Sequence, residues 1–261
     1  MAEDTSSFGA ALARLYDLDL VEDPGDLDLY LALATRTGGP ILELGCGTGR
    51  IAVPLAAAGH DVTAVDIDPA ALERARRRAE TASAAARDRI EFVEADLLGL
   101  ELPSAGTFRL VLLALNSLYL LATRSSQREA FATMARHLAP GGLAVVDVWL
   151  PDADDLARFD GRLILEYERT DPESNALVTK VAAAQHDAAS GIVSLTSIYE
   201  EGDQGNSAVR FVRRDALRLV SADELRDFAE SAGLVVETLA GDYDMEPLGQ
   251  GSERAILVAR R

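Results

Sequence analysis

A glycine-rich turn follows an apolar run near residue 41. The stretch ILELGCGTGR, residues 41–50, places Gly45, Gly47 and Gly49 at alternate positions. Glycines remove side chains, so backbone N–H groups and the start of a following helix can approach a polar ligand. Asp66 lies 21 residues after Gly45, at the end of the next apolar run, where a carboxylate can hold a ribose diol. The pattern therefore indicates a ribose-bearing cofactor bound against bare backbone.

The spacing inside this turn discriminates between three candidate ligands, namely nucleotide phosphates, NAD and S-adenosylmethionine. The dinucleotide fingerprint is G-x-G-x-x-G, whereas this pattern is G-x-G-x-G and Arg50 stands where the last dinucleotide glycine belongs. Glu43, two residues before the first glycine, is a further departure from that fingerprint. The phosphate loop also fails to match, because no Gly-Lys-Ser/Thr follows. The spacing alone disfavours NAD and nucleotide phosphates.

Short apolar runs alternate with helical patterns between residues 40 and 150, and these elements must position the loop and its carboxylate. Such alternation is typical of a parallel sheet flanked by helices. Seven strands are predicted for this sheet, the last two near the C-terminus: 41–44, 62–65, 90–93, 109–113, 143–148, 234–239 and 255–259. Helix starts are predicted at three pairs of capping residues: Asp68 with Pro69, Ser126 with Glu129, and Ser221 with Glu224.

The pattern changes after Trp149. Four runs of mixed or alternating polarity follow, separated by turn signals and without a helical period: 162–169, 177–184, 192–200 and 207–219. We therefore predict an antiparallel β insertion at residues 151–219. It is bracketed by two pieces of one domain, residues 1–150 and 220–261, of which residues 1–39 form an N-terminal helical segment.

The amino-acid composition limits which partners the protein is expected to bind and where in the cell it is expected to be. The chain has 261 residues, 48% of them hydrophobic, which suits a large α/β domain with a sizeable insertion. Its formal charge of −18 disfavours nucleic acid and membrane surfaces and favours an amine-bearing ligand, unless the charge serves solubility alone. Cys46 is the single cysteine, so no intramolecular disulfide can form and a cytoplasmic location is expected. The assembly state stays open, a homo-oligomer included, because no interface stripe appears.

An ordered series of motifs spans residues 41–148. E-L-G-C-G-T-G is followed by V-D-I-D-P, E-A-D, an asparagine after the fourth predicted strand, and L-A-P-G-G. This series resembles the class I S-adenosylmethionine-dependent methyltransferases. The resemblance implies a Rossmann-like methyltransferase sheet that binds S-adenosyl-L-methionine and releases S-adenosyl-L-homocysteine. No metal is expected, because the histidines are scattered and no clustered carboxylate motif follows the fourth strand.

The family pattern, carried over residue by residue, implies a cofactor site. Asp66 would bind the ribose hydroxyls, Ile67 would pack on adenine and Asp96 would contact the adenine amino group. Glu43 would brace the glycine loop, and the backbone at Leu115 would meet the cofactor's amino group. The complete implied set is Tyr16, Glu43, Gly45, Cys46, Gly47, Gly49, Asp66, Ile67, Asp96, Leu97 and Leu115.

The region after Trp149 resembles the antiparallel cover of small-molecule N-methyltransferases such as glycine N-methyltransferase and amino-sugar dimethyltransferases. This implies N-methylation of an amine on a small molecule or peptide-derived natural product, with residues 1–39 forming a lid. The candidate catalytic residues are Asn116, Tyr16 and His186. The candidate substrate residues are Tyr30, Asn116, Tyr119, Trp149, Tyr199, Arg213 and Tyr243. Aromatic faces can hold a methylated ammonium through cation–π attraction of roughly 0.5 to 2 kcal/mol.

Several alternatives stay open at this point. Methylation of a hydroxyl or carboxylate oxygen is the nearest one, and a cofactor-binding protein without catalytic activity is another. Each of these residues also has a purely structural alternative: Asp66 and Asp96 as strand ends or helix caps, Trp149 and Tyr199 as core residues, and His186 as a strand residue at the surface or edge. An NAD oxidoreductase is the alternative that the loop spacing favours least.

Overall fold

The computed structural model describes residues 5–22, 24–202 and 208–261. The helices in these ranges are α1 (Thr5–Asp19), α2 (Leu27–Thr37), α3 (Ala52–Ala57), α4 (Pro69–Ala82), α5 (Ala84–Arg89), α6 (Arg124–His137), α7 (Ala153–Arg158) and α8 (Ala222–Ser231). The strands are β1 (Ile41–Leu44), β2 (Val62–Asp66), β3 (Ile90–Glu94), β4 (Phe108–Leu113), β5 (Leu138–Trp149), β6 (Ile164–Thr170), β7 (Leu177–Asp187), β8 (Ile192–Gly202), β9 (Val209–Arg218), β10 (Val235–Ala240) and β11 (Arg254–Arg260). None of the helices described has both the length and the apolar character that crossing a membrane requires. Residues 1–4 of the predicted N-terminal segment and Ser207 of the last predicted run lie outside the described ranges.

One compact unit comprises residues 24–150 and Val220–Arg261 and contains a seven-stranded sheet. Its strand order is β10-β11-β5-β4-β1-β2-β3, and the pairs from β3 to β5 are parallel. β11 runs antiparallel to both β5 and β10. The prediction of a mostly parallel, seven-stranded Rossmann-like sheet with flanking helices is confirmed. Because β1 to β5 are parallel, their carboxyl ends and the loops that follow them lie along one edge.

The central strands are buried because helices cover both faces of a parallel sheet. Every residue of β1 is buried, and so are five of the six residues of β4 and five of the seven residues of β11. This explains why these strands appear in the sequence as continuous apolar runs. It also makes a charged residue within such a run unusual, and β1 and β5 each contain one, Glu43 and Asp147.

Capping residues set where the helices begin. The Asp68 side chain accepts a hydrogen bond from the Ala70 N–H group, and the Ser221 hydroxyl accepts one from the Glu224 N–H group, so α4 and α8 begin as predicted. The predicted start of α6 at Ser126 is wrong. Thr123 is the N-cap, because its backbone is extended and its hydroxyl accepts the hydrogen bond from the Ser126 N–H group.

The second compact unit comprises residues 5–22 and Pro151–Leu219. Its four strands pair antiparallel in the order β6-β7-β8-β9, which confirms the predicted antiparallel insertion. The assignment of α1 to the first domain differs from the contacts in the structure, which group α1 with this sheet. The physical reason is a small core of its own, in which Leu15 and Leu18 of α1 pack against Val178 and Tyr199.

Asp19, the last residue of α1, fastens this helix to the sheet of the second unit. Its carboxylate accepts hydrogen bonds from the hydroxyls of Tyr167, at 2.8 Å, and Tyr199, at 2.7 Å. The Lys180 ammonium lies 3.0 Å from the same carboxylate. Nearer the start of the helix, Arg14 pairs with Asp171, whose side chain is almost fully buried. Segments far apart in the sequence therefore form one folded unit.

Replacing Asp19 by Asn should loosen α1 selectively. Hydrogen bonds to a charged group contribute about 1.5–3 kcal/mol, and 1.4 kcal/mol is a factor of ten in an equilibrium, so amide hydrogen exchange in α1 should accelerate about tenfold or more. Exchange in β1, β4 and β5 should stay unchanged. The control is Asp154→Asn, which alters an exposed aspartate of α7 in the same unit. Equal acceleration in both units would contradict a local fastening role.

Candidate active site

The loops after β1, β2, β3, β4 and β5 meet at the carboxyl edge of the parallel sheet. The strand order reverses between β1 and β4, since the chain builds outward from β1 to β3 and then returns to the other side. Ligands of open α/β sheets bind at such a switch point. The glycine loop follows β1 there and the Leu115–Asn116 turn follows β4. A methyl group placed on Gly45 would lie 3.5 Å from Ser117 Oγ, so these two loops are neighbours.

The glycine loop has a backbone that needs glycine. Gly45, Gly47 and Gly49 have φ angles of 67°, 53° and 79°, in the left-handed region that residues with a side chain rarely adopt. A Cβ atom on Gly49 would also lie 3.0 Å from the Ala75 Cβ atom of α4, which is closer than ordinary contact. Gly49 therefore also allows the loop to pack closely against α4. Gly45 and Gly47 leave the loop backbone without side chains at their positions.

Cys46 lies between the glycines as a buried filler. Its side chain is buried, and burial is the main cause that raises the pKa of the thiol well above its usual value. The negative charges of Glu43 and Asp66 raise it further. A thiol in this state is a poor nucleophile. Its backbone N–H group donates to the Val65 carbonyl at 3.0 Å, which ties the loop to β2.

Glu43 is buried beneath the glycine loop, at the start of α3. The Ala52 N–H group donates a hydrogen bond to its carboxyl group. The Oε2 atom has no hydrogen-bond partner among the residues that the structure describes. Burial raises the pKa of Glu43 to about 8, and the positive charge of Arg50 only partly opposes this. At neutral pH the Glu43 side chain is therefore mostly a neutral acid.

Arg50 occupies the position of the last dinucleotide glycine and forms a buried ion pair with Asp26. Its two terminal nitrogens each lie 2.6 Å from one carboxylate oxygen of Asp26, whose side chain is fully buried. This two-point contact joins the end of the glycine loop to the segment before α2.

Asp66 joins the ends of β1 and β2. Its Oδ2 atom accepts a hydrogen bond from the Gly47 N–H group at 2.7 Å, and its Oδ1 atom accepts one from the Asp68 N–H group at 2.9 Å. A carboxylate has about four acceptor positions, so lone pairs remain for the hydroxyls of a ribose. The next residue, Ile67, is 66% exposed. Its predicted packing on the adenine ring stays a prediction.

Asp96 and Leu97 follow β3 at the same edge. Asp96 is exposed, and its Oδ1 atom accepts a hydrogen bond from the Leu98 N–H group at 2.8 Å. This contact holds the loop in a tight turn and orients the carboxylate. Leu97 is half-buried beside it. The contacts with adenine that the sequence predicts for these two residues stay predictions.

The Leu115–Asn116 turn after β4 is held by β5. Leu115 and Asn116 have φ angles of 46° and 66°, which are left-handed and unusual for residues with side chains. The Asn116 Oδ1 atom accepts a hydrogen bond from the Trp149 N–H group at 2.6 Å. Because that donor is a main-chain N–H group, it fixes which end of the Asn116 amide is the oxygen. The amide nitrogen is the end directed elsewhere.

Most of the tyrosines predicted to contact substrate have internal partners. Tyr30 and Tyr119 are 0% and 2% exposed, respectively. The Tyr30 and Tyr243 hydroxyls lie 3.5 Å and 2.9 Å from the Asp147 carboxylate, and the Tyr119 hydroxyl donates to the Trp149 carbonyl. Burial raises the pKa of all three phenols. Their predicted contact with substrate stays a prediction, and this geometry does not favour it.

The remaining candidates lie in the second unit. Tyr16 is half-buried on α1, and His186 is half-buried on β7, with its backbone N–H group donating to the Phe159 carbonyl at 3.0 Å. Tyr199 is 3% exposed and its hydroxyl is bound by Asp19. Arg213 pairs with Asp215, two residues further along β9, at 2.8 Å. Burial and the Asp19 charge both raise the pKa of Tyr199, which suits a structural role for that hydroxyl.

Sequence reasoning missed the buried acidic and basic residues beneath the site. Asp147 is fully buried in β5 and pairs with Arg254 of β11 at 2.8 Å. Asp26 and Arg50 form the other such pair. The available signal was a single aspartate inside the apolar run L-A-V-V-D-V-W, because an acidic residue is almost never fully buried without a partner. The identity of the partner, 107 residues away, carried no local signal.

The sheet order, the glycine loop after β1 and the carboxylate at the end of β2 are the features expected of a class I S-adenosylmethionine-dependent methyltransferase. The family model described as "Methyltransferase domain" matches residues 41–142. The cypemycin N-terminal methyltransferase of a Streptomyces species is 30% identical over 224 residues, which cover 86% of this chain and 84% of that protein. The chain belongs to this family of methyltransferases and is an enzyme.

Two further proteins resemble the chain over most of its length. The dTDP-3-amino-3,4,6-trideoxy-alpha-D-glucopyranose N,N-dimethyltransferase of Streptomyces venezuelae is 26% identical over 202 residues, 72% of this chain and 81% of that protein. The structure of the CcbJ methyltransferase from Streptomyces caelestis superimposes with a TM-score of 0.77 at 25% identity, covering 92% of this chain and 96% of the other. The similarity thus extends through both compact units.

Replacing Asp66 by Ala should weaken binding of S-adenosylhomocysteine by about 1.5–3 kcal/mol, because hydrogen bonds from the ribose to a charged group would be lost. Asp66→Asn keeps an acceptor for the Gly47 N–H group, so it should weaken binding less than Asp66→Ala. Calorimetric titration measures both affinities. The control is Asp61→Ala, which removes an exposed carboxylate from the opposite end of β2. Unchanged affinity in Asp66→Ala would remove this residue from the site.

Replacing Glu43 by Gln should remove a pH dependence of stability. The pKa of this carboxyl group rises from 4.5 to about 8 in the folded protein, so its contribution to stability is fully present below about pH 4.5 and is lost as the pH rises to about 8. The free energy of unfolding of Glu43→Gln should therefore fall less over this interval. Urea unfolding at several pH values measures the slope. The exposed Glu101→Gln is the control, and identical slopes in Glu43→Gln and the native protein would contradict the assignment.

Proposed function

We propose that this enzyme transfers a methyl group from S-adenosylmethionine to an amine nitrogen of a small molecule or peptide-derived natural product. The observation that carries the proposal is the 30% identity to a protein named as an N-terminal methyltransferase, over most of both chains. The similarity to a protein named as an N,N-dimethyltransferase of an amino sugar supports the same acceptor atom. The single buried cysteine supports a cytoplasmic setting.

The residues at the sheet edge fit the methyl donor. The open backbone at Gly45 and Gly47 would receive its amino-acid end, and Asp66 would hold the ribose while Ile67 covers the adenine ring. Asp96 and Leu97 would lie at the far side of the adenine. When bound there, S-adenosylmethionine supplies a methyl group on a positively charged sulfur. A lone pair of the acceptor can attack the methyl carbon in line with the carbon–sulfur bond, and the sulfur leaves as a neutral thioether. Much of the acceleration then comes from orientation, which can supply roughly 7–11 kcal/mol.

An amine acceptor has to reach the methyl group without its extra proton. An ammonium has no free lone pair, so the acceptor binds neutral or loses a proton at the site. Desolvation of the amine beside a positively charged sulfur lowers its pKa and favours the neutral form. The transfer to such an amine needs neither a strong base nor a Lewis acid, so the proposal includes no metal.

Asn116 would orient the acceptor and would not take its proton. Its carbonyl oxygen is already bound by the Trp149 N–H group at 2.6 Å, so the amide nitrogen is the end directed elsewhere. An amide nitrogen donates hydrogen bonds and accepts none. Asn116 can therefore hold an acceptor through an oxygen or a neutral nitrogen lone pair beside the reacting one. A catalytic role for Tyr16 and His186 is also part of the proposal.

Blocking the acceptor amine tests the proposal directly. The purified enzyme is incubated with S-adenosylmethionine carrying a labelled methyl group and with matched panels of peptides and amino sugars. Each substrate is supplied with a free amine and in an N-acetylated form. Free amines should gain one or two methyl groups in the mass spectrum, and the acetylated forms should gain none, because an amide lone pair is delocalised.

Each other outcome has a defined meaning. Methylation that survives acetylation and is removed by mild ester hydrolysis would contradict N-methylation in favour of a carboxylate oxygen. Methylation that survives both treatments would favour a hydroxyl oxygen. Asn116→Asp is the matched variant, since it keeps the acceptor for the Trp149 N–H group and removes the amide donors. Its kcat/KM should fall about tenfold to a hundredfold if two donated hydrogen bonds orient the acceptor.

A further inference from the structure

Asp147 is a buried carboxylate surrounded by hydrogen-bond donors. It is 0% exposed on β5, which lies between β11 and β4 in the seven-stranded sheet. Its Oδ1 atom lies 2.8 Å from the Arg254 guanidinium. Its Oδ2 atom accepts hydrogen bonds from the Tyr243 hydroxyl at 2.9 Å and from the Leu115 N–H group at 3.3 Å, with the Tyr30 hydroxyl at 3.5 Å. Because each partner donates, an ionised carboxylate is the form that can accept from all of them.

Both peptide groups of Leu115 are held by this one residue. The Leu115 N–H group donates to the Asp147 side chain, as described, and the Asn116 N–H group donates to the Asp147 backbone carbonyl at 3.0 Å. The Asn116 side chain then bonds the Trp149 N–H group, two residues further along β5. The turn is thus attached to β5 at three points, and Asp147 supplies two of them.

The turn needs such an attachment because its backbone is strained. Left-handed φ angles are unfavourable at residues other than glycine, and such residues keep them when the surroundings impose them. Asn tolerates this region because its short polar side chain can form local hydrogen bonds, whereas the Leu side chain can form none. Leu115 has a φ angle of 46°, and its own N–H group is the one that Asp147 binds. The carboxylate therefore acts at the strained position.

The attachment also sets the direction of the Leu115 carbonyl group. A trans peptide group is planar, so its C=O bond points away from its N–H bond. The Asn116 N–H group points to β5, and the Leu115 carbonyl oxygen of the same peptide group therefore points away from β5. In the strand order β5-β4-β1, that is the side on which β1 and its glycine loop lie. The closeness of Gly45 to Ser117 shows that the loop reaches this turn.

We propose that Asp147, held by Arg254 and Tyr243, is a positioning residue that orients the Leu115 carbonyl toward the amino group of the bound methyl donor. This inference rests on the proposed cofactor site and adds a residue that does not itself touch the ligand. It also explains why a charged pair lies between strands whose neighbours are apolar. Asp147, paired with Arg254, would hold the Leu115–Asn116 turn, and the Leu115 carbonyl of that turn would contact the ligand.

Two ligands that differ in the amino-acid end test this role. S-adenosylhomocysteine carries the ammonium group, and 5′-methylthioadenosine shares its adenosine and sulfur but lacks the amino-acid portion. In Asp147→Asn the Kd of S-adenosylhomocysteine should rise about tenfold, the effect of losing one hydrogen bond to a charged group. The Kd of 5′-methylthioadenosine should change less than about twofold, within the scatter of a site that is left intact.

A second variant keeps the test decisive if Asp147→Asn does not fold. Tyr243→Phe removes one donor from the same carboxylate oxygen that holds Leu115, and it leaves the charged pair with Arg254 intact. Tyr243→Phe should raise the Kd of S-adenosylhomocysteine about twofold to fourfold, as expected for the loss of one neutral hydrogen bond, and should leave the Kd of 5′-methylthioadenosine unchanged. The control is Asp171→Asn, which alters a buried aspartate paired with an arginine in the second unit and should leave both affinities unchanged.

The remaining outcomes overturn the inference. Equal weakening of both ligands would show a general structural role for Asp147, and unchanged affinity for both would show none. Failure of the proposed cofactor site has a different signature, since the native protein itself would then bind neither ligand, and failure of N-methylation alone would leave both affinities as they are. A loss confined to 5′-methylthioadenosine would assign the Asp147 network to the adenosine end and would also overturn the proposal.

Discussion

The hydrogen bond from the Gly47 N–H group to the Asp66 carboxylate, 2.7 Å long, ties the loop after β1 to the end of β2. Backbone groups beyond the last residue of a parallel strand lose their ladder partners and need others. Asp66 supplies such a partner to the glycine loop and to the start of α4, and Asn116 supplies one to β5. The edge that would receive the methyl donor is therefore organised by side chains that complete the main-chain hydrogen bonding of the sheet.

Buried charge beneath this edge follows a simple rule. Taking a carboxylate out of water costs several kcal/mol unless a partner compensates. Asp26 and Asp147 are fully buried and each is paired with an arginine, through Arg50 and Arg254. Glu43 has an oxygen without a hydrogen-bond partner in the described part of the chain, and burial raises its pKa accordingly. The two aspartates therefore each have an arginine beside them, whereas the Glu43 carboxyl group, whose pKa is raised to about 8, is mainly neutral at neutral pH.

The parts that sequence predicted correctly are those with a local cause. Continuous apolar runs predicted the parallel strands, and Asp68 and Ser221 predicted the starts of two helices. The ordered motifs that begin with the glycine loop indicated the family. Thr123 and Ser126 are both good capping residues three positions apart, so the sequence alone could not tell which begins α6. Tyrosines serve cores and binding sites equally well, and the pairing of their hydroxyls with Asp147 or Asp19 depends on contacts between distant segments.

The union of α1 with the second sheet constrains how this enzyme can be altered. Asp19 binds Tyr167, Tyr199 and Lys180, so its partners lie about 150 residues or more further along the chain. A graft of residues 151–219 alone from a relative would meet a foreign helix and leave buried acids without matching partners. A module for exchange between such enzymes is therefore discontinuous. It consists of the N-terminal helix and the β insertion together, and recombination that separates them breaks a folded unit.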